Sequence, residues 1–343
     1  MTQIATKQWT KELVQEHAQT AVKVELYTLP FYLTVLASIK DKKSDAYQSL
    51  LSICIEEMLH LQLAGNLCIA LDTQPIFEAP KYGNKIPYLD PDNTETGHHK
   101  LINAKLDALN NDTLSIMLDI ETPSGLEEHR HPEEGIFRKI IDWVEHALEH
   151  RWNMDYHSTP QYPYSCIGEM YDALISGIRM VGEDKFSWKT TNQQKVWQKE
   201  EFKQIIASFE DAENAIKTIS LQGEGTTANK DKFMIPPNYC LEDENDDPHG
   251  LNEYSHYERL LKIKNQGIPD VYPVVNNGQN QQEQQKALQG LQDSFAKLLG
   301  GMNQIWNKGE EMSDDNFWNV MTGELIPNLE DCWKNGVVPK WSS

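Results

Sequence analysis

The sequence predicts an all-α protein: a helical bundle with a long connection in its first half and further helices around it. Two observations lead there. Apolar residues recur at helical spacing over residues 8–39, 45–71, 163–181 and 209–223, while strand signals are few. The most apolar stretch, "LLSICIEEMLHLQLAGNLCIAL" at 50–71, reads as a helix buried nearly all round, yet it keeps Glu56, Glu57 and His60 in its middle. Burying an unpaired carboxylate is costly, so these side chains require polar partners from other helices.

Composition narrows the class. The chain has 343 residues, 52 acidic against 31 basic, for a formal charge of −21. It is long enough for a sizeable core, in one large domain or two smaller ones. The acidic excess argues against nucleic acid and anionic membrane as partners. The apolar run at 24–39 contains Glu25 and Pro30 and follows a charged stretch, unlike a signal peptide or a spanning helix. Cys54, Cys68, Cys166, Cys240 and Cys332 are scattered without a CxxC pair, which suits a reduced, cytoplasmic protein.

The elements follow in order. The first helix, 8–39, ends at the polar break "KDKKSD", and 45–71 returns as its antiparallel partner. Residues 73 to 160 form a long connection rich in proline and asparagine, with small elements of its own. "GIFRKIIDWVEHALEHRW" within it is a further candidate helix. Helical pattern resumes at 163–181, then from Ser208 with Asp211 to Gly223, then from near 251, and finally beyond the polar loop "NNGQNQQ". The chain divides into a bundle over 8–270, insertion included, and a C-terminal helical extension over 271–343 packing on it. Pro30 removes one helical hydrogen bond and kinks the first helix, either for packing or to open it beside Glu25.

Helical projection answers part of the question posed by the second helix. Residues advance by about 100° each. Glu57 and His60 share the face of Leu50, Ile53, Cys54, Leu61 and Ala64, while Glu56 points to the flank. On the first helix Glu25 is an inward carboxylate in the seam of Ala18, Val22, Leu29, Tyr32 and Leu36. An inward Glu facing a Glu-x-x-His is half of a carboxylate-bridged di-metal site, as ferritin-like bundles build it. "YSCIGEMYDALISGI" offers Glu169 for the other half, and "NEYSHYERLLKI" offers Glu253 and His256. Several carboxylates neutralise two cations and each imidazole fills a nitrogen position. A hydrogen-bonded Glu57–His60 core pair, and a solvated Glu253, are the plainer alternatives. Beside Glu169, the small residues Ser165, Cys166, Ala173, Ser176 and Gly177 imply either very close helix approach or a cavity for a substrate.

Seven segments occur in this order: "ELYTLPFYL", "EEMLHLQLAGNLCIAL", "PKYGNKIPYL", "SIMLDIETPSG", "CIGEMYDAL", "AIKTISLQGEG" and "EYSHYERLLKIKNQG". Together they resemble the ferritin-like domain of the iminophenyl-pyruvate dimer synthase family of violacein- and rebeccamycin-type biosynthesis, over residues 20–267. The resemblance implies a ferritin-like four-helix bundle with a long crossover and peripheral helices. It adds Glu224, from "QGEG", as a further ligand candidate, with a solvated helix end as the alternative. Asp172 is a candidate partner for a ligand histidine. The metal set is therefore Glu25, Glu57, His60, Glu169, Glu253, His256 and Glu224, holding two non-haem iron ions or other divalent transition metals. The expected function is oxidation of a small organic, amino-acid-derived substrate by dioxygen or peroxide. A ferroxidase or metal-handling protein and a non-catalytic interaction module are the alternatives. A homo-oligomer remains open.

Overall fold

The computed structural model describes residues 8–82, 104–122, 164, 166–195, 204–223, 254–275, 281–310 and 314–342. The architecture is all-α, as the periodicity predicts. No strand occurs among the described residues, and Ile39 and Val271 form an isolated β bridge.

Helix α1 spans Lys11–Ala37 and α2 spans Asp45–Ala70. Each starts where a hydroxyl caps it: Thr10 accepts from the Leu13 N–H, and Ser44 from the Tyr47 N–H. They form the expected antiparallel hairpin, with the most extensive helix–helix contact in the chain. Pro30 sits inside α1. The part of the long connection read as small elements contains a true bundle helix, α3 (Asn111–Ile120), started by a capping box between Asn110 and Thr113. The expected helix at 135–152 lies outside the described residues.

Helix α4 covers Ile167–Val181 and α5 covers Phe209–Gly223. Helix α6, His256–Gln266, starts later than expected: Ser255 and Glu258 form a reciprocal capping box that places His256 at the first helical position. It stops at Gly267, whose φ of +93° only glycine adopts without strain. The α1–α2 hairpin forms the spine. Helix α4 packs on α1, α5 on both α2 and α4, α6 on α2, and α3 on α6.

The other side of the hairpin is covered from the C-terminus. Helix α7 spans Gln281–Lys308, a π-helical segment follows at Asp314–Leu325, and α8 spans Ile326–Lys334. Three indoles fasten this layer. Trp306 donates to Asn66 Oδ1 (3.1 Å), Trp333 to the Thr34 carbonyl (2.9 Å) and Trp341 to the Thr34 hydroxyl (2.8 Å).

Helix α2 alone among the described helices is long and apolar enough to cross a membrane, and it lies almost wholly buried inside the fold. Cys54, Cys68, Cys166 and Cys332 are buried free thiols. Cys240 lies outside the described residues.

In the row of small residues on α4, Gly177 is a point of close packing. A Cβ on Gly177 would stand 2.6 Å from the Trp9 ring, so Gly177 is where that indole packs onto the helix.

Candidate metal centre

Four of the residues singled out in the sequence converge. Glu25, Glu57, His60 and His256 are each at most 2 % exposed. Glu57, His60 and His256 present ligand atoms all within 4.8 Å of one another.

A fifth residue joins them that sequence reading passed over. Glu121 caps the C-terminal end of α3 and is buried. Its Oε2 lies 3.5 Å from His256 Nδ1, and its Oε1 accepts from the Tyr32 hydroxyl at 2.5 Å. The segment "SIMLDIETPSG" was in view, but α3 has a helical stretch of only 10 residues inside a proline-rich connection. Its apolar spacing (Leu114, Met117, Leu118) was the available signal.

Glu169 takes a different place. It is half-buried on the first turn of α4 and does not line the pocket at the centre, although its neighbours Ile167 and Gly168 do. The reason is rotational: Glu169 and Tyr171 project about 160° apart on a helix. Tyr171 faces inward, donating its hydroxyl to Glu25 Oε1 at 2.5 Å. Glu224 and Glu253 lie outside the described residues. Helix α6 itself begins at His256.

The five inward groups form two similar halves about Glu57. On one side His60 Nδ1 lies 3.4 Å from Glu57 Oε1 and 3.8 Å from Glu25 Oε2. On the other, His256 Nδ1 lies 3.1 Å from the same Glu57 oxygen and 3.5 Å from Glu121 Oε2. The rings stack with centroids 5.3 Å apart. Each half thus has one imidazole, one terminal carboxylate and one tyrosine on that carboxylate, with Glu57 shared. Thr28 donates to the other Glu57 oxygen at 2.5 Å.

Both imidazoles are anchored from behind. His60 Nε2 meets Gln222 Oε1 at 2.7 Å, and His256 Nε2 meets Glu56 Oε2 at 2.8 Å. With Nε2–H donating outward, each ring turns Nδ1 toward the centre. Glu56, which projection placed on the flank, is itself gripped by Arg259: 2.7 Å from Nη1 to Oε2 and 3.1 Å from Nη2 to Oε1. The same guanidinium holds Ser52 Oγ at 3.0 Å. The adjacent glutamates therefore divide the work. Glu57 faces the centre and Glu56 positions a histidine.

The charges explain one another. Burial and the Glu57 charge push the Glu25 carboxyl up to about 8. Burial would also raise Glu57, but the nearby imidazoles of His256 and His60 hold it below the ordinary range. Burial alone would lower both imidazoles; Glu57 outweighs it at His60, and Glu121, Glu56 and Glu57 do so at His256, so both are raised. Burial and Glu121 push the Tyr32 phenol up, and burial and Glu25 do so for Tyr171, so each stays a hydrogen-bond donor.

A metal pair fits these residues. His256 Nδ1 is fully buried and makes no well-formed hydrogen bond, despite having two carboxylate oxygens near it. It is close to acceptors without being aimed at either, as a nitrogen directed at a point between them would be. Carboxylates with imidazole nitrogens suit iron, manganese or zinc better than soft-metal chemistry. The pocket here opens between the end of α3, the start of α4 and the end of α5, walled by Ile120, Ile167, Gly168, Ile219, Ser220 and Gly223.

Comparisons with known proteins agree with this frame. A crystal structure of a ferritin-like protein from Caulobacter vibrioides superposes with a TM-score of 0.69 at 26 % identity, over 97 % of this chain and 99 % of that one. No curated protein matches this sequence. A family model described as Ferritin-like matches residues 18–265, and the chain, with its helical fold and its Glu/His cluster on the α1–α2 hairpin, belongs to the ferritin-like family.

Proposed function

We propose that this protein is a non-haem di-metal oxidative enzyme, using iron with dioxygen or peroxide on a small organic substrate. The observation that carries the reading is the two-fold arrangement about Glu57. Two His–Glu–Tyr halves share one carboxylate, and each imidazole is anchored at Nε2 so that Nδ1 faces inward. Such a set suits two cations better than one.

Glu25 and His60 would hold one ion, Glu121 and His256 the other, and Glu57 both. The bound pair supplies electron transfer to dioxygen or peroxide. The chain's own residues do the rest. Glu56 and Arg259 keep the proton of His256 on Nε2, and Gln222 does so for His60, leaving each Nδ1 as the donor. Tyr171 and Tyr32 hold the terminal carboxylates in fixed rotamers. Ile120, Ile167 and Ile219 give the mouth an apolar wall that limits water and orients a small molecule. In the metal-free chain, protons on Glu25 and on both histidines offset the crowded carboxylates, and metal replaces them.

The ordered motifs resemble those of the iminophenyl-pyruvate dimer synthase type. That favours an amino-acid-derived substrate and a role in biosynthesis. The free buried thiols and acidic surface favour a cytoplasmic protein without nucleic-acid or membrane partners.

Anaerobic titration with ferrous iron, followed by dioxygen, tests the reading. The expected result is about two irons per chain, with Glu57→Ala reducing both occupancies. Rapid iron oxidation that continues beyond that stoichiometry would favour a metal-handling protein. Absence of binding at verified fold would leave an interaction module.

A further inference from the structure

A second cavity lies on the other side of the hairpin from the metal centre, between α1–α2 and the C-terminal layer. It is open at its mouth and leaves about 40 Å³ for the centres of water-sized spheres. None of its 15 lining residues is ionisable, and Gln62 is the one side-chain amide among them. Four aromatic rings line it: Phe295 and Trp306 of α7, Phe317 of the π-helical segment, and Trp341. Both indoles spend their N–H outside it, on Asn66 and on Thr34, so they present rings alone. Three thioethers complete the lining, Met58, Met302 and Met321. Methionine is flexible and polarisable, and its sulfur favours aromatic neighbours.

Two irregular backbones face this space. One wall is the π-helical turn, a geometry that recurs at binding sites. The opposite wall contains Pro30 and Leu26. Pro30 has no N–H, so the Leu26 carbonyl lacks the donor a regular helix supplies. The cavity is also distinct from the metal centre: its α1 and α2 residues, Leu26, Met58 and Leu61, are the chain neighbours of Glu25, Glu57 and His60 but project to another side.

We propose that this cavity binds a small, uncharged, ring-bearing molecule. An anionic compound is disfavoured, because no cationic side chain among the described residues lines the space and a buried unpaired charge is costly. The site stands whether or not the metal reading holds.

The probe is N-phenyl-1-naphthylamine, an uncharged diarylamine, titrated into the intact chain by fluorescence. Saturable binding of one probe per chain is expected. Leu298→Trp and Met321→Trp, which fill the space, should each weaken it roughly tenfold or more. The sulfonated analogue 8-anilinonaphthalene-1-sulfonate should bind weakly in comparison. Should either filled variant fail to fold, methyl-labelled methionine in the unmodified chain reads the same question. Met58, Met302 and Met321 should shift with the probe, and Met170 and Met180 on α4 should not. Unsaturable fluorescence, unchanged binding in the folded filled variants, equal binding of the sulfonate, or shifts confined to α4 would overturn the proposal.

Discussion

The two sides of the α1–α2 hairpin are built from the same two helices and are both largely covered, yet they are held by different physics. Toward α3–α6 the hairpin presents Glu25, Glu56, Glu57 and His60. Every one of these needs a specific partner at hydrogen-bond distance, and the partners come from chain positions as distant as Gln222, His256 and Arg259. Toward α7, the π-helical turn and α8, the hairpin presents Leu26, Leu29, Leu33, Met58 and Leu61, which need only matching shape and a few indole hydrogen bonds. Apolar burial is non-directional and tolerant. Buried charge is directional and fails sharply when one partner leaves.

The largest contrast should come from Arg259→Met. It strips the bidentate partner from Glu56 and leaves that carboxylate buried with His256 alone. A loss of about 3–5 kcal/mol in denaturant unfolding is expected. A loss below about 1 kcal/mol, within the range of exposed ion pairs, would show that Glu56 is not held as described.

Metal should stabilise next. Ferrous iron at 100 times its dissociation constant should add about 2.7 kcal/mol, reversed by chelation. His60→Ala and His256→Ala should each lower the iron content to about one per chain, because each half keeps its own terminal carboxylate. Loss of all iron from either variant would break the two-half description.

On the apolar side, Trp333→Phe removes one indole hydrogen bond to the Thr34 carbonyl and some packing. About 1–3 kcal/mol is expected, with iron content unchanged. A variant that loses iron would show that the two sides are not independent.

The remaining test is the titration of the metal-free centre. Glu25 is raised from 4.5 to about 8, so the folded chain holds a proton that the unfolded chain has released. Stability from this group is complete below pH 4.5 and declines as pH rises toward 8. The raised imidazoles act in the same direction. Iron must displace these protons, so its affinity should rise with pH over that window, with proton release seen by calorimetry in buffers of different ionisation enthalpy. Glu25→Gln should flatten the stability profile between pH 4.5 and 8. An unchanged profile would locate the proton elsewhere.

Much of this was legible without coordinates. The inward carboxylate of "VELYTLP" and the Glu-x-x-His of "EEMLH" follow from helical projection alone, because periodicity fixes which residues share a face. The capping box "SHYE" was readable too, and would have set His256 at a helix start rather than mid-helix. Projection misplaced Glu169, because the rotation of α4 against α1 depends on packing such as Trp9 against Gly177. It could not see Glu121, which approaches from the end of a short helix rather than from a bundle face.

The sequence by itself determined the helices, their caps, and the presence of costly polar groups in an apolar hairpin, since these depend on near neighbours in the chain. Only the tertiary structure decided which carboxylates meet. Glu121 and His256 are separated by more than a hundred residues, and Glu56 finds Arg259 across a similar span. The placement of a buried charge is decided by directional contacts a few ångströms long, and no local pattern encodes where the far partner will stand.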